Sequence, residues 1–170
     1  AKMNHIRFEI EHTAYAKIYE ALTRFGDYEI GGMLVGYQKE KHHFTIADAT
    51  IADDIGKFSI FNFIREPIKS MKIVSQLFKK NRFHYMGEWH SHPRFTLTPS
   101  SSDVKTMQGI LIDKGYGVNF VLLIIAKLNN TKVNMAGFLF HKDLPDFVPA
   151  TLTHNLSSEI EQPISTFKIP

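Results

Sequence analysis

The chain has 170 residues, 44% hydrophobic and 22% charged, with a formal net charge of +3. That size and mixture suit one globular domain over residues 1–170 with a core of its own, and the dispersed charge excess is too small to argue for nucleic acid as a partner. The absence of cysteine excludes disulfides, a cysteine nucleophile and thiolate metal ligands, and fits a reducing, cytoplasmic setting.

Ile6–Ile10 alternates and is predicted as a strand. Ala14, Ile18, Leu22 and Phe25 recur at helical spacing, which predicts a helix over Thr13–Arg24 with Thr13 as N-cap and Gly26-Asp27 as its end. Met33–Tyr37 and His43–Ile51 are strand-like and joined by the polar turn QKEKH, and Phe58–Phe63 alternates as a further strand. Pro67 suits the first turn of a helix over Glu66–Asn81, whose apolar stripe is Ile68, Met71, Val74, Leu77 and Phe78. His84–His90 is a short strand, and a third helix starts near Ser101 with Val104, Met107 and Leu111 inward. Asn119–Lys127 and Lys132–Phe140 form a hairpin around Leu128-Asn129-Asn130-Thr131. The run Val121–Ala126 is too short to cross a bilayer and is predicted as a buried strand, so no membrane association is expected. Beyond His141 the periodicity fades, and Pro145, Pro149, Pro163 and Pro170 predict an irregular segment over about 141–170.

The stretch EWHSHPRFTLTPSSSD, Glu88–Asp103, carries the chemistry. His90 and His92 lie two apart at a strand end, so their imidazoles point the same way. Asp103 falls in the first turn of the next helix, after a loop long enough to fold back. Two imidazoles and a carboxylate are three protein ligands, the number that leaves a catalytic zinc an open position. The set suits Zn²⁺ first, with iron or another divalent ion as alternatives. Glu88 shares the parity of the two histidines and is a candidate base from the strand itself. His42-His43, in a turn, diverge toward solvent.

The sequence His90-Ser91-His92-Pro93, continued to Pro99, Ser100 and, after two more residues, Asp103, resembles the JAMM motif of MPN-domain metalloproteases. Upstream, Glu29-Ile30-Gly31-Gly32-Met33-Leu34-Val35-Gly36 resembles that family's E-x-x-G-x-L-x-G segment. The resemblance covers nearly the whole chain and implies an α/β fold: a single MPN (JAB) domain with a mixed central β-sheet packed by about three helices. It implies that His90, His92 and Asp103 hold one Zn²⁺ per chain, that Glu29 is the catalytic base and that Ser100 donates to the oxyanion. It places the base at Glu29 in preference to Glu88, which is then a partner that orients a histidine or a solvated edge residue. The form GEWHSHP is similar to the prokaryotic branch, whose JAB proteins accompany E1- and E2-like proteins in CBASS antiphage and related ubiquitin-like conjugation systems.

The resemblance thus implies a zinc isopeptidase or peptidase that cuts after the C-terminus of a ubiquitin-like protein, with the substrate tail extended along an edge strand. The phenylalanines of Phe58–Phe63 are candidates to line that groove. Two other classes stay open. One is a non-catalytic MPN scaffold, although such domains lack the metal ligands present here. The other is a DNA-repair-associated JAMM factor, which carries H-N-H-P where this chain has Ser91 between the histidines. A zinc deaminase fits poorly, because no C-x-x-C completes its site.

Overall fold

The computed structural model describes residues 6–51, 67–155 and 161–163. In chain order these form β1 (Arg7–Ile10), α1 (His12–Phe25), β2 (Gly31–Glu40), β3 (His43–Ala49), α2 (Pro67–Asn81), β4 (His84–Ser91), α3 (Ser101–Ile112), β5 (Phe120–Asn129), β6 (Lys132–His141), β7 (Val148–Asn155) and β8 (Glu161–Pro163). The predicted strand Phe58–Phe63 lies outside the described residues. Helix α1 starts one residue earlier than the spacing predicts: Glu11 is its N-cap, without a side-chain hydrogen bond, and Thr13 sits inside the first turn. Gly26 ends it, its amide donating back to the Leu22 carbonyl.

The fold is α/β with a mixed sheet and, among the described residues, three helices, but the sheet closes on itself. The strand order is β1-β3-β2-β4-β5-β6-β7-β8, and β1 pairs also with β7, so seven strands complete a barrel-like ring. Pairings β1–β3, β1–β7 and β4–β5 are parallel and the others antiparallel. Part of the segment over about 141–170, expected to be irregular, is strand. Within it β7 pairs Arg7–Ile10 with Thr151–His154, and β8 adds three residues to β7. Proline removes one backbone donor and does not prevent pairing where that donor is not needed.

The ring has two apolar faces. Every strand from β1 to β7 contributes to the cluster that buries α1 through Ala14, Ile18, Ala21, Leu22 and Phe25. The other face carries Val121, Leu123 and Ile125 of β5 and Ala136, Phe138 and Phe140 of β6 against Met107, Ile110 and Leu111 of α3. Alternation along β5 divides its residues between the two. Trp89 is wholly buried in the first cluster, its indole N–H donating to the Thr50 carbonyl at 2.8 Å. No helix among the described residues is long and apolar enough to cross a membrane.

Two strands set the ground for the site. β2 runs antiparallel to β4, with Gly31 opposite His90, and β5 lies parallel on the other side, with Ile125 opposite His90. The β2–β4 register shifts between Leu34 and Val35, so that Gly87 faces Leu34 and Tyr85 faces Val35. Gly87 has a φ of 150° and packs so tightly that a β-carbon would collide with the Leu122 carbonyl, as a bulge demands of glycine. This bulge puts Tyr85 on the same face as Glu88, three residues later.

Candidate metal centre

Strand β4 brings His90 and His92 to its end, and the loop 93–99 returns the chain so that α3 begins beside them. One ligand atom from each of His90, His92 and Asp103 lies within 4.8 Å of the others. The two Nε2 atoms are 2.8 Å apart; His90 Nε2 is 3.4 Å from Asp103 Oδ1, and His92 Nε2 is 3.6 Å from Asp103 Oδ2. Both imidazoles are buried.

Each of these side chains is held by its backbone surroundings. His92 donates its amide to the Ala126 carbonyl at 3.0 Å, and its Nδ1 lies 2.8 Å from the Thr96 carbonyl. A carbonyl only accepts, so Nδ1 carries the proton; when the ring is neutral its Nε2 then bears the lone pair facing the cleft, the tautomer that a metal requires. Asp103 is locked by a capping box. Its Oδ2 accepts the Ser100 amide at 2.7 Å, while the Ser100 Oγ accepts the Asp103 amide at 3.1 Å. Ser100 is thus the N-cap of α3 as well as a cleft residue.

The electrostatics follow from this crowding. Burial would raise the Asp103 carboxyl, but hydrogen bonds from His90 and His92, the charge of His90 and the Ser100 amide outweigh it and hold the group well below the usual carboxylate range. Burial would lower His92, yet its bonds to Asp103 and the Thr96 carbonyl prevail and raise it. The pair Nε2–Nε2 beside a carboxylate is a site where positive charge is favoured. Two imidazole nitrogens and one carboxylate oxygen are a donor set that fits a divalent metal with a position left over.

All five residues predicted for catalysis and metal binding come together. Glu29, His90, His92, Ser100 and Asp103 line one cleft of about 530 Å³, with Phe95 at its rim. Glu29 stands just before β2, half-buried. Glu88 does not join them. It is 0% exposed and outside the cleft wall; its Oε2 accepts the Tyr85 hydroxyl at 2.9 Å and its Oε1 has no hydrogen-bond partner. Burial pushes its carboxyl well above the usual range despite that hydrogen bond. It is neither a solvated edge residue nor, among the described residues, bonded to either imidazole, because the bulge at Gly87 hands its carboxylate to Tyr85 instead.

Sequence reasoning missed Ser91. This residue has the opposite parity to the histidines and is buried. Its amide donates to the Ile30 carbonyl at 2.8 Å, its Oγ accepts the Ile30 amide at 3.0 Å, and its hydroxyl donates to the Tyr28 carbonyl at 3.4 Å. The residue between the two histidines therefore grips the backbone on both sides of Glu29. The signal was the small hydroxyl side chain in the middle of H-S-H, where the alternating pattern calls for an apolar residue.

The chain resembles known proteins in the same terms. The family described as prokaryotic homologues of the JAB domain matches residues 12–138. A CD-NTase/cGAS isopeptidase of Enterobacter hormaechei subsp. hoffmannii is 29% identical over 91 residues, 52% of this chain and 49% of the relative. The chain thus spans about half the length of that curated relative. The solution structure of a protein from Desulfitobacterium hafniense superimposes with a TM-score of 0.62 at 17% identity, over 86% of this chain and 92% of that one, a likeness of fold. With three quarters of its length matched, this chain belongs to the prokaryotic JAB-domain family.

Proposed function

We propose that this chain is a zinc-dependent isopeptidase or peptidase that hydrolyses the bond after the C-terminus of a ubiquitin-like protein. The observation that carries this reading is the convergence of Glu29 and Ser100 on the three potential ligands in one cleft. His90, His92 and Asp103 would hold one Zn²⁺, which supplies Lewis acidity strong enough to bring the pKa of water down to about 7. Glu29 takes the proton from the attacking water and delivers it to the departing amine, the two halves of general acid–base catalysis. The Ser100 hydroxyl donates to the carbonyl oxygen as that atom gains charge. Ser91 keeps Glu29 at its station, and the Thr96 carbonyl keeps His92 in the required tautomer. The similarity to a relative named as an isopeptidase supports the reaction class, and by the same route we place the protein in a cytoplasmic, ubiquitin-like conjugation system of antiphage type with E1- and E2-like partners.

The test uses a ubiquitin-like protein fused through its C-terminus to a reporter. Glu29→Gln should keep zinc and bind the fusion but not cleave it. Glu88→Gln should fall well short of the loss of about 10- to 100-fold typical for a partner bonded to a ligating histidine, since its carboxylate meets Tyr85. A dead Glu88→Gln beside an active Glu29→Gln would move the base. Zinc-loaded wild type that binds cognate fusions without ever cutting them would replace the enzyme by a scaffold.

A further inference from the structure

The face of the sheet that carries the metal cluster changes chemistry along β5 and β6. Val121, Leu123 and Ile125 continue, at the same parity, into Lys127 and Asn129; on the partner strand Phe138 and Ala136 give way to Asn134, directly opposite Lys127. A hairpin end left to solvent is often polar, but here Lys127 and Asn134 are half-buried. With Arg94, Phe95 and Thr96 they line a second hollow of about 370 Å³. Phe95 and Thr96 line the metal cleft as well, so the two hollows adjoin. Phe95, 60% exposed, stands at the junction with its ring edge-on to His92, centroids 6.1 Å apart.

The lining of the second hollow holds two cations, two carboxamides and no carboxylate. Arg94 already pairs with Asp27 at 3.0 Å. Among the described residues, Lys127 forms no ion pair. Asn129 and Asn134 offer both donors and acceptors, the complement of an extended backbone, and the exposed Phe95 ring offers apolar surface where the chain would cross from one hollow to the next. A polypeptide whose scissile bond lies in the metal cleft would meet Lys127 within a few residues of that bond.

We propose that this hollow is a substrate subsite for an acidic stretch of polypeptide flanking the scissile bond, with Lys127 the residue that selects the acid. The proposal rests on the hydrolase reading above, because it takes the two adjoining hollows to hold a peptide that passes the metal cleft. Labelled ten-residue peptides, one rich in Asp and Glu and one of Ser and Gly, separate the two when binding is followed by fluorescence anisotropy on zinc-loaded protein, with a single-stranded oligonucleotide of equal length beside them. Wild type should prefer the acidic peptide, and Lys127→Glu should weaken that peptide by about 5-fold or more at low salt, the Coulombic gain turning to repulsion, while leaving the neutral one unchanged. Lys127→Met should fall between, and the preference should fade as salt rises. Cleavage of reporter fusions with acidic or neutral flanking residues gives the second readout. Fusions cut equally well whatever their flanking charge, together with equal peptide binding, would sink the subsite and spare the hydrolase. Acid-selective binding that Lys127→Glu abolishes, without any cleavage, would leave Lys127 as an acid-binding residue and sink the hydrolase, and with it the substrate role of the hollow. Tighter binding of the oligonucleotide than of the acidic peptide would overturn the proposal in favour of nucleic acid.

Discussion

Ser100 performs two tasks that substitution can pull apart. As N-cap of α3 it uses an Oγ lone pair to accept the Asp103 amide; its hydroxyl proton is not consumed by that bond and is available to the cleft. Ser100→Ala deletes the cap and the hydroxyl together. Ser100→Gly deletes the hydroxyl but remains a tolerable N-cap, costing a few tenths of a kcal/mol where alanine costs about 1 kcal/mol. For a chain of this length about 1 kcal/mol is worth about 2–4 °C in Tm. The Asp103 Oδ2 bond to the backbone amide of residue 100 survives both changes, so zinc content should stay near that of wild type. If the hydroxyl meets the oxyanion, kcat falls by about 10²- to 10³-fold in both variants alike. Differential scanning fluorimetry, metal analysis and kcat on the reporter fusion measure the three quantities. A Ser100→Gly protein with nearly normal kcat, or a kcat loss that tracks Tm across the pair, would refute the reasoning and leave Ser100 as a cap alone.

Further outcomes follow from the same geometry. His90→Ala and Asp103→Ala should each lose the one zinc per chain, because two remaining protein ligands no longer make a catalytic site; full retention by metal analysis in both variants would end the ligand assignment. Ser91→Ala leaves the buried Ile30 amide without its Oγ acceptor, a cost of about 1–3 kcal/mol, and should lower kcat while zinc stays bound; unchanged kcat at a lowered Tm would make Ser91 purely structural. His154 is buried, its Nε2 without a hydrogen-bond partner and its ring stacked on Tyr15 at 3.9 Å. Burial, helped by the charge of His12, lowers its pKa from 6.5 to about 4. The unfolded chain therefore takes up a proton that the folded one refuses, so its contribution is complete above about pH 6.5 and is lost, at up to about 1.4 kcal/mol per unit, as the pH falls toward 4. His154→Phe should flatten that part of the curve of stability against pH, and denaturant titrations at pH 5 and pH 7.5 would show whether it does.

What could be read from the sequence was what is local in it. The strand, loop and helix that carry His90, His92, Ser100 and Asp103 are contiguous, so spacing and parity suffice to bring them together. Glu29 could be assigned only by resemblance, since nothing local ties it to residues on β4; the tie is Ser91, whose hydrogen bonds run to main-chain atoms that have no signature in a sequence. Glu88 was placed on the right face by alternation, but parity says nothing of burial, and the bulge at Gly87 that gives it Tyr85 as partner is a tertiary matter. β7 was missed because Val148–Asn155 offers one large apolar residue facing the core, Leu152, amid threonines and Pro149. It becomes a strand because β6 and β1 leave a gap of its width, and that demand comes from the rest of the fold.

The seam between β1 and β7 has a consequence for how the protein comes into being. Arg7–Ile10 leaves the ribosome well before its partner Thr151–His154. At about 5–20 residues per second, β1 waits on the order of 10 seconds for β7 with a bare edge next to Phe8 and Ile10, while β2, β4 and α3, the walls of the metal cleft, are already available to assemble. A chain interrupted before Val148 would carry the whole of that cleft and still present unpaired edges on β1 and β6, which are templates for intermolecular pairing. Arrival of β7, and not possession of the site, is what decides whether a nascent molecule closes its barrel or offers those edges to other chains.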